Sequence, residues 1–415
     1  MRTMEIQGAA AKAAAVKMAT ITTKLKNDAL LRIADALEQN KDSILAANGL
    51  DMAAARDSGM ASGMMDRLAL DDGRINDIAK AVRDVAAQSD PIGRVDRLER
   101  RPNGLAIGRK TVPLGVIAII YESRPNVTVD AAVLCLKAGN SVILRGGKEA
   151  FNSNNALVKI MRNAVQNAGL PVDCVSLVQD TTRDSVDELM SLTKYIDVLI
   201  PRGGAGLINR VVSNSKIPVI ETGVGNCHVY VESAANIDMA VEIIFNAKCR
   251  RVSICNAAET LLVDRAIAAK FLPAAKARLD TKNVQLRGCG ETAAILGSGV
   301  VPATDEDYYT EFYDYILAVK VVDNIDSAIA HISKYGSGHS EAIVTNDYTA
   351  SQKFLDEIDA AAVYVNASTS FTDGGEFGLG AEIGISTQKM HARGPMGLNQ
   401  LTSTKFVIYG DGQVR

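Results

Sequence analysis

Between residues 115 and 220 one beat repeats: a short apolar run, then a stretch with helical spacing. The runs at 115–121, 141–144, 174–178, 196–200 and 218–220 read as strands. The stretches at 127–138, 154–167, 183–192 and 206–214 read as helices. Alternation on this scale has few packing solutions, and the leading one is a parallel, doubly wound sheet covered by helices. Ligands on such sheets bind beyond the carboxyl ends of the strands. The beat resumes after residue 226, with strands expected at 227–231, 260–263, 284–287, 316–322, 342–345 and 362–365. Helices are expected there at 267–279, 325–334 and 350–358. The chain therefore reads as α/β with two such domains, which suits its 415 residues.

The flanks read differently. The first ninety residues are helical in pattern, with Leu30, Ile33 and Leu37 on one apolar stripe. Asn103-Gly104 between two short runs signals a hairpin. The segment 402–409 alternates like an edge strand and is expected to return to that hairpin. The expected division is 1–95 with 113–225 as a dinucleotide-binding domain and 226–400 as a catalytic domain. Residues 96–112 with 401–415 are expected to form a small hairpin, either an oligomerisation hairpin that projects to a partner subunit or a plain surface hairpin.

A net charge of −3 argues against a nucleic-acid surface. No run of eighteen apolar residues is present and the N-terminus has no signal-peptide core, so a cytosolic chain without a membrane span is expected. Six cysteines without CxxC spacing are expected to be reduced thiols. The histidines 228, 331, 339 and 391 form no HExxH or Cys/His cluster, so no metal is expected.

The chemistry-bearing residues lie at the strand ends. Leu144-Arg145-Gly146-Gly147-Lys148 places glycines and two cations after a strand. Ile200-Pro201-Arg202-Gly203-Gly204 does the same one unit later and opens a helix. Backbone N–H groups in such loops can face phosphate or ribose; a tight βα turn is the other reading. Glu221 ends a strand beside two glycines, where a carboxylate can accept a proton or stand as a solvated turn residue. Cys255 follows Arg250 and Arg251 and precedes Asn256, and positive neighbours raise the thiolate fraction. Cys135 and Cys227 sit in regular helix and strand patterns and read as structural. The glycine-dense segment 369–384 reads as a loop around a ligand, followed by His391 and Arg393, a cation suited to a substrate carboxylate.

Several of these motifs, in this order, resemble the γ-glutamyl phosphate reductase family of the aldehyde dehydrogenase superfamily. The carriers are Ile120-Tyr-Glu-Ser-Arg-Pro-Asn-Val127, Ile143-Leu-Arg-Gly-Gly-Lys-Glu149, the stretch 220–228, Cys255-Asn-Ala-Ala-Glu-Thr-Leu-Leu-Val263, Tyr335-Gly-Ser-Gly-His-Ser-Glu-Ala342 and the stretch 371–387. The resemblance implies an aldehyde-dehydrogenase-like fold and reduction of L-glutamyl 5-phosphate by NADPH to glutamate 5-semialdehyde and phosphate. That is the second step of proline synthesis from glutamate. It implies a homodimer and a transient contact with glutamate 5-kinase. It also implies Cys255 as nucleophile, Glu221 at the general-base position, and Ser123 where an oxyanion donor usually stands. Arg145, Gly146, Lys148, Gly203, Gly204 and Glu311 would hold the cofactor, Glu311 at the nicotinamide ribose. Arg124, Asn126, Asn256 and Arg393 would hold the substrate. The chain departs from the family pattern at Val252-Ser253-Ile254, where Pro-Gly-Val is usual, at Cys249-Arg250 in place of Thr-Gln, and at Tyr315 in place of Pro.

Other readings compete. A cysteine acyltransferase or amidohydrolase would need a histidine base, for which His228 is the nearest candidate in sequence. A nucleotide-binding protein without catalysis and a broader aldehyde dehydrogenase that forms a free acid are the remaining two.

Overall fold

Five helices fill the N-terminal segment of the computed structural model, which describes residues 3–415. The second, Thr23–Gln39, starts at Thr22, whose side-chain oxygen accepts from the Leu25 N–H. Its stripe of Leu30, Ile33 and Leu37 is wholly buried, and each such side chain contributes roughly 1.5–3 kcal/mol of burial. The chain divides into two compact units. The first runs to Thr222 and takes in Gly378–Gly384 and Met396–Arg415. The second comprises Gly223–Phe377 and Ile385–Pro395. The chain thus returns to the first unit within the stretch the sequence assigns to the catalytic domain. Backbone pairing of Ile383 and Gly384 with Met396 fastens that return.

Two strands open the sheet structure of the first unit, β1 (Val95–Arg100) and β2 (Ala106–Pro113), joined as an antiparallel hairpin. Its turn is longer than a two-residue Asn-Gly turn. Gly104 donates to the Arg101 carbonyl and lies at φ 89, a conformation glycine adopts without strain. The C-terminal strand Thr402–Tyr409 pairs antiparallel with β2 along its whole length. The return to the hairpin expected from its alternation is therefore present.

The core of this unit is a parallel sheet of β3 (Val116–Tyr121), β4 (Ser141–Gly146), β5 (Val175–Leu177) and β6 (Val198–Arg202), in the order β5-β4-β3-β6. Every residue of β3 and β4 is buried, as helices on both faces of a parallel sheet require. The crossover helices are Pro125–Lys137, Phe151–Asn167 and Arg183–Ser191. The strand expected at 218–220 shrinks to one bridge, Leu199 with Val219. Pro218 has no N–H to extend the ladder.

In the second unit seven parallel strands follow: β7 (Cys227–Val231), β8 (Ala258–Asp264), β9 (Gln285–Gly288), β10 (Val301–Pro302), β11 (Ile316–Val322), β12 (Ser340–Val344) and β13 (Ala362–Val365). Their order is β10-β9-β11-β8-β7-β12-β13. The β7–β8 register slips between Cys227, opposite Ala258, and His228, opposite Thr260, which leaves Glu259 as an extra residue on β8. The helix Ile237–Cys249, absent from the sequence expectations, precedes the Cys255 turn. It starts at Asn236, whose side chain accepts from the Met239 N–H. Among the described residues no helix is long and apolar enough to cross a membrane.

Candidate active site

In the first unit, the loops at the carboxyl ends of β3, β4 and β6 are braced by two carboxylates. Glu149 Oε1 accepts from the Ser123 N–H at 2.7 Å and from the Ser123 hydroxyl at 2.8 Å. Ser123 is buried and sits at φ 41, a strained value for a residue with a Cβ. A Cβ on Gly147 would stand 2.1 Å from the same Glu149 oxygen. Glu122 Oε2 accepts from the Gly204 N–H at 3.0 Å, at the start of helix Ala205–Asn214. A Cβ on Gly203 would lie 2.4 Å from that oxygen. A side chain at Gly147 or Gly203 would displace the flexible Glu149 or Glu122 carboxylate, so these two glycines let the carboxylates lie close to the backbone. The N–H of Gly204, the residue that caps helix Ala205–Asn214, is turned toward an anionic oxygen.

Arg145 is drawn inward. Its guanidinium donates to the Thr181 carbonyl at 2.7 Å, the Thr182 carbonyl at 2.8 Å and Ser185 Oγ at 3.3 Å. It ties the end of β4 to the loop before helix Arg183–Ser191. Lys148 is exposed. A Cβ at Gly146 would come 2.2 Å from Asn154 Nδ2, so a side chain there would displace the buried Asn154 amide. Arg124 is the N-cap residue of helix Pro125–Lys137, and the exposed Asn126 donates to Asp130 Oδ2 at 3.1 Å. Burial pushes the Asp130 carboxyl up to about 7, against the opposing pull of the Asn126 hydrogen bond. Glu221 is half-buried, between the Val219 bridge and Thr222, whose hydroxyl donates to the Pro201 carbonyl.

In the second unit, Cys255 occupies the turn between helix Ile237–Cys249 and β8, half-buried. Its carbonyl is enclosed. The Cys227 thiol donates to it at 3.2 Å. Gly225 packs so closely that an added Cβ would fall 1.6 Å from the Cys255 oxygen and 2.5 Å from its Cα. The Gly225 N–H in turn donates to Glu311 Oε1 at 3.1 Å, and the Tyr313 hydroxyl donates to Glu311 Oε2 at 2.5 Å. Asn256 is buried, its amide donating to the carbonyls of Ser370 (3.3 Å) and Thr372 (3.1 Å), while Thr369 Oγ1 donates to the Asn256 carbonyl (2.7 Å). The segment Thr369–Phe371 is a short 3-10 turn that props up the Cys255 turn. Arg250 and Arg251 are exposed, so solvent weakens their pull on the thiol. Arg393 and Lys389 both pair with Asp359, at 2.6 and 2.5 Å. His228, the base a hydrolase would need, is wholly buried and held by Glu341 at 2.9 Å.

Residues 3–297 match the model of the aldehyde dehydrogenase family. The γ-glutamyl phosphate reductase of Carboxydothermus hydrogenoformans is 60% identical over 98% of this chain and 97% of its own. That of Halothermothrix orenii is 57% identical over 99% of this chain and 98% of its own. The crystal structure of the Thermotoga maritima γ-glutamyl phosphate reductase superposes with a TM-score of 0.94 at 49% identity, covering 99% of each chain. The chain belongs to the γ-glutamyl phosphate reductase family. It is an oxidoreductase with the aldehyde dehydrogenase fold.

Within this family frame the geometry sorts the expected residues. Cys255 and Glu311 come together through Gly225. Gly203 and Gly204 line a helix start after β6, and Lys148 follows β4, on the other side of β3. Asn256 and Arg393 hydrogen-bond within the chain, and the Ser123 hydroxyl donates to Glu149. Missing from the sequence reading were Gly225, the Cys227 contact and His339, whose Nδ1 lies 3.6 Å from the Cys227 sulfur. The two glycines before Cys227 were a signal, but nothing local says that they make room for residue 255.

Proposed function

We propose that the chain reduces L-glutamyl 5-phosphate to glutamate 5-semialdehyde and phosphate through a thioester on Cys255, the second step of proline synthesis from glutamate. The carrying observation is the half-exposed Cys255 thiol in a turn fastened by Gly225, Cys227 and the Thr369–Phe371 segment. The names of the full-length relatives support the substrate.

The Cys255 thiolate attacks the acyl carbon and phosphate departs with the bonding pair, leaving the thioester. The cofactor, when bound, supplies a hydride. Negative charge then develops on the former carbonyl oxygen, and the Cys255 backbone N–H is the natural donor there. Ser123 is the second candidate, once its hydroxyl leaves Glu149. Breaking the C–S bond returns the thiolate and releases the aldehyde. No hydrolytic water is needed, so Glu221 serves proton traffic around the sulfur and not water activation. Lys148, Gly146, Gly203 and Gly204 would hold the dinucleotide phosphates, with Arg145 bracing the loop. The helix start at Gly204 fits an anion, since the Glu122 carboxylate already occupies its N–H. Lys148 suits the additional phosphate of NADPH. Arg124 and Asn126 lie at the end of β3, where the substrate's charged end would be met. Arg393 acts on the substrate only after leaving Asp359.

The hairpin sheet supports a homodimer. Phe406, Ile408 and Tyr409 are 69%, 58% and 62% exposed on one terminal strand, an apolar edge that a second copy would cover. The deciding experiment follows NADPH absorbance with NADP, glutamate 5-semialdehyde and phosphate. A phosphate-dependent rise that vanishes in Cys255→Ser is expected. Turnover independent of phosphate would point to acid-forming dehydrogenase chemistry, and no turnover would count against the reaction.

A further inference from the structure

The Cys227 thiol and the Gly225 backbone close on the peptide that follows the nucleophile. Cys227 opens β7, is wholly buried, and stands 28 positions away from Cys255 in sequence. A slip in the β7–β8 ladder lies immediately after it, and such bulges re-aim a side chain. The sulfur reaches the Cys255 carbonyl at 3.2 Å, within the range of an S–H donor. On its far side His339 Nδ1 is 3.6 Å away. That ring nitrogen is 2.8 Å from Ser340 Oγ, which is 2.7 Å from Thr372 Oγ1, itself 2.7 Å from the Tyr364 hydroxyl. Thr372 also accepts, through its carbonyl, from the Asn256 amide. The network therefore joins both sides of the Cys255–Asn256 peptide.

A peptide unit is planar and trans, so fixing its carbonyl fixes the direction of the N–H opposite. Pinning the Cys255 carbonyl thus orients the Asn256 N–H and restricts the Cys255 backbone that aims the sulfur. Burial, reinforced by the nearby Glu341, holds the Cys227 thiol far toward its protonated form. The S–H is therefore a standing donor across the working pH range and not a second nucleophile.

We propose that Cys227 is a positioning residue for the reaction: its S–H, with Gly225 behind, clamps the Cys255 carbonyl and sets the aim of the nucleophile. The proposal rests on the thioester reading above for its kinetic consequence, and on the geometry alone for its effect on the turn.

The test compares wild type, Cys227→Ala and Cys227→Ser as full-length proteins. Removing one such hydrogen bond is expected to lower kcat about fivefold to tenfold, with KM for the semialdehyde unchanged. Serine keeps an O–H donor and is expected to stay within about threefold of wild type. Hydrogen exchange of the peptide spanning 251–257 should quicken in Cys227→Ala and stay near wild type in Cys227→Ser. Wild-type kcat in Cys227→Ala overturns the clamp. So does an equal fall in both variants, which would mark a packing role. If wild type shows no phosphate-dependent turnover, the reaction reading fails separately, and the exchange rates decide. Unchanged exchange in Cys227→Ala then overturns the clamp, and faster exchange in that variant alone upholds it.

Discussion

Replacing Gly225 by alanine puts the Cys255 turn under a defined stress. The new Cβ would fall 1.6 Å from the Cys255 oxygen, 2.3 Å from its carbonyl carbon and 2.5 Å from its Cα. Close carbon–oxygen contacts in proteins settle at about 3.3 Å, so the two backbones must part by roughly 1.7 Å. No side-chain rotation relieves this, because every clashing atom is main chain. Misplacing a reacting group by about 1 Å costs on the order of 100-fold in rate. The expected result is therefore a loss of at least about 100-fold in kcat/KM in the phosphate-dependent NADP reduction assay. Overpacking of this kind is expected to take roughly 1–3 kcal/mol from stability. The matching control is Gly49→Ala in helix Lys41–Asp57, where an added Cβ meets nothing within 4 Å. That substitution should stabilise by roughly 0.5–1 kcal/mol and leave turnover alone. Turnover in Gly225→Ala within about threefold of wild type would refute the reasoning, since a displaced thiol cannot retain its rate.

Three further outcomes follow from the same geometry. Phe406→Glu with Ile408→Glu is expected to convert a dimer to a monomer in light scattering, because charge on an exposed edge blocks strand-edge association; an unchanged mass would locate the interface elsewhere. Lys248→Met leaves Glu259 without its wholly buried partner at 2.5 Å and should lower unfolding free energy by about 3–5 kcal/mol in urea titrations, with Lys248→Met/Glu259→Leu recovering most of it. Asp130 has a folded-state carboxyl raised to about 7 from an ordinary 3.8, so its contribution to stability is complete below pH ~4 and lost as pH rises through 7. Asp130→Asn should therefore gain on wild type between those values, by no more than about 4 kcal/mol, and a gap that stays flat with pH would contradict the burial argument.

The strands were legible because β3 is a continuous apolar run and β4 and β7 carry apolar cores, Val142–Leu144 and Val229–Val231, as buried parallel strands do. Cys255 was legible for a different reason: it stands outside any periodic pattern, between charges and a strand. Its supports were not. Asn256 meets Ser370 and Thr372 across 114 and 116 residues of sequence, and Arg145 meets Thr181 across 36. Local chemistry made each look available to a ligand, and only the tertiary fold shows the partner that claims it. Helix Ile237–Cys249 escaped because its apolar residues spread around much of its circumference, so no single stripe marks the period. The hairpin was foreseen, but the turn needs only Gly104 in the left-handed region, so the Asn-Gly pair pointed to the right place with the wrong turn.

Three carboxylates perform the same task in three loops, two after strands β3 and β6 and one ahead of β7. Glu149 accepts from the Ser123 N–H, Glu122 from the Gly204 N–H, and Glu311 from the Gly225 N–H. None of these amides has a ladder partner; leaving the part-buried amides of Ser123 and Gly225 unpaired would cost about 1–3 kcal/mol each, whereas that of Gly204 is exposed to water. A flexible carboxylate satisfies such an amide and yet can move aside when a better anion arrives. Arginine or lysine could not fill that place, because neither accepts a hydrogen bond. Glu311 reaches its amide across 86 residues of sequence and Glu122 across 82, so both loops are fixed by the fold before any ligand is present. If these carboxylates stand in for incoming phosphate, Glu122→Gln should bind NADPH more tightly than wild type by up to about tenfold, since a neutral amide holds the Gly204 N–H less strongly than a charged oxygen. Weaker binding by calorimetry would show instead that Glu122 shapes the loop for the dinucleotide, and that its charge is part of the site.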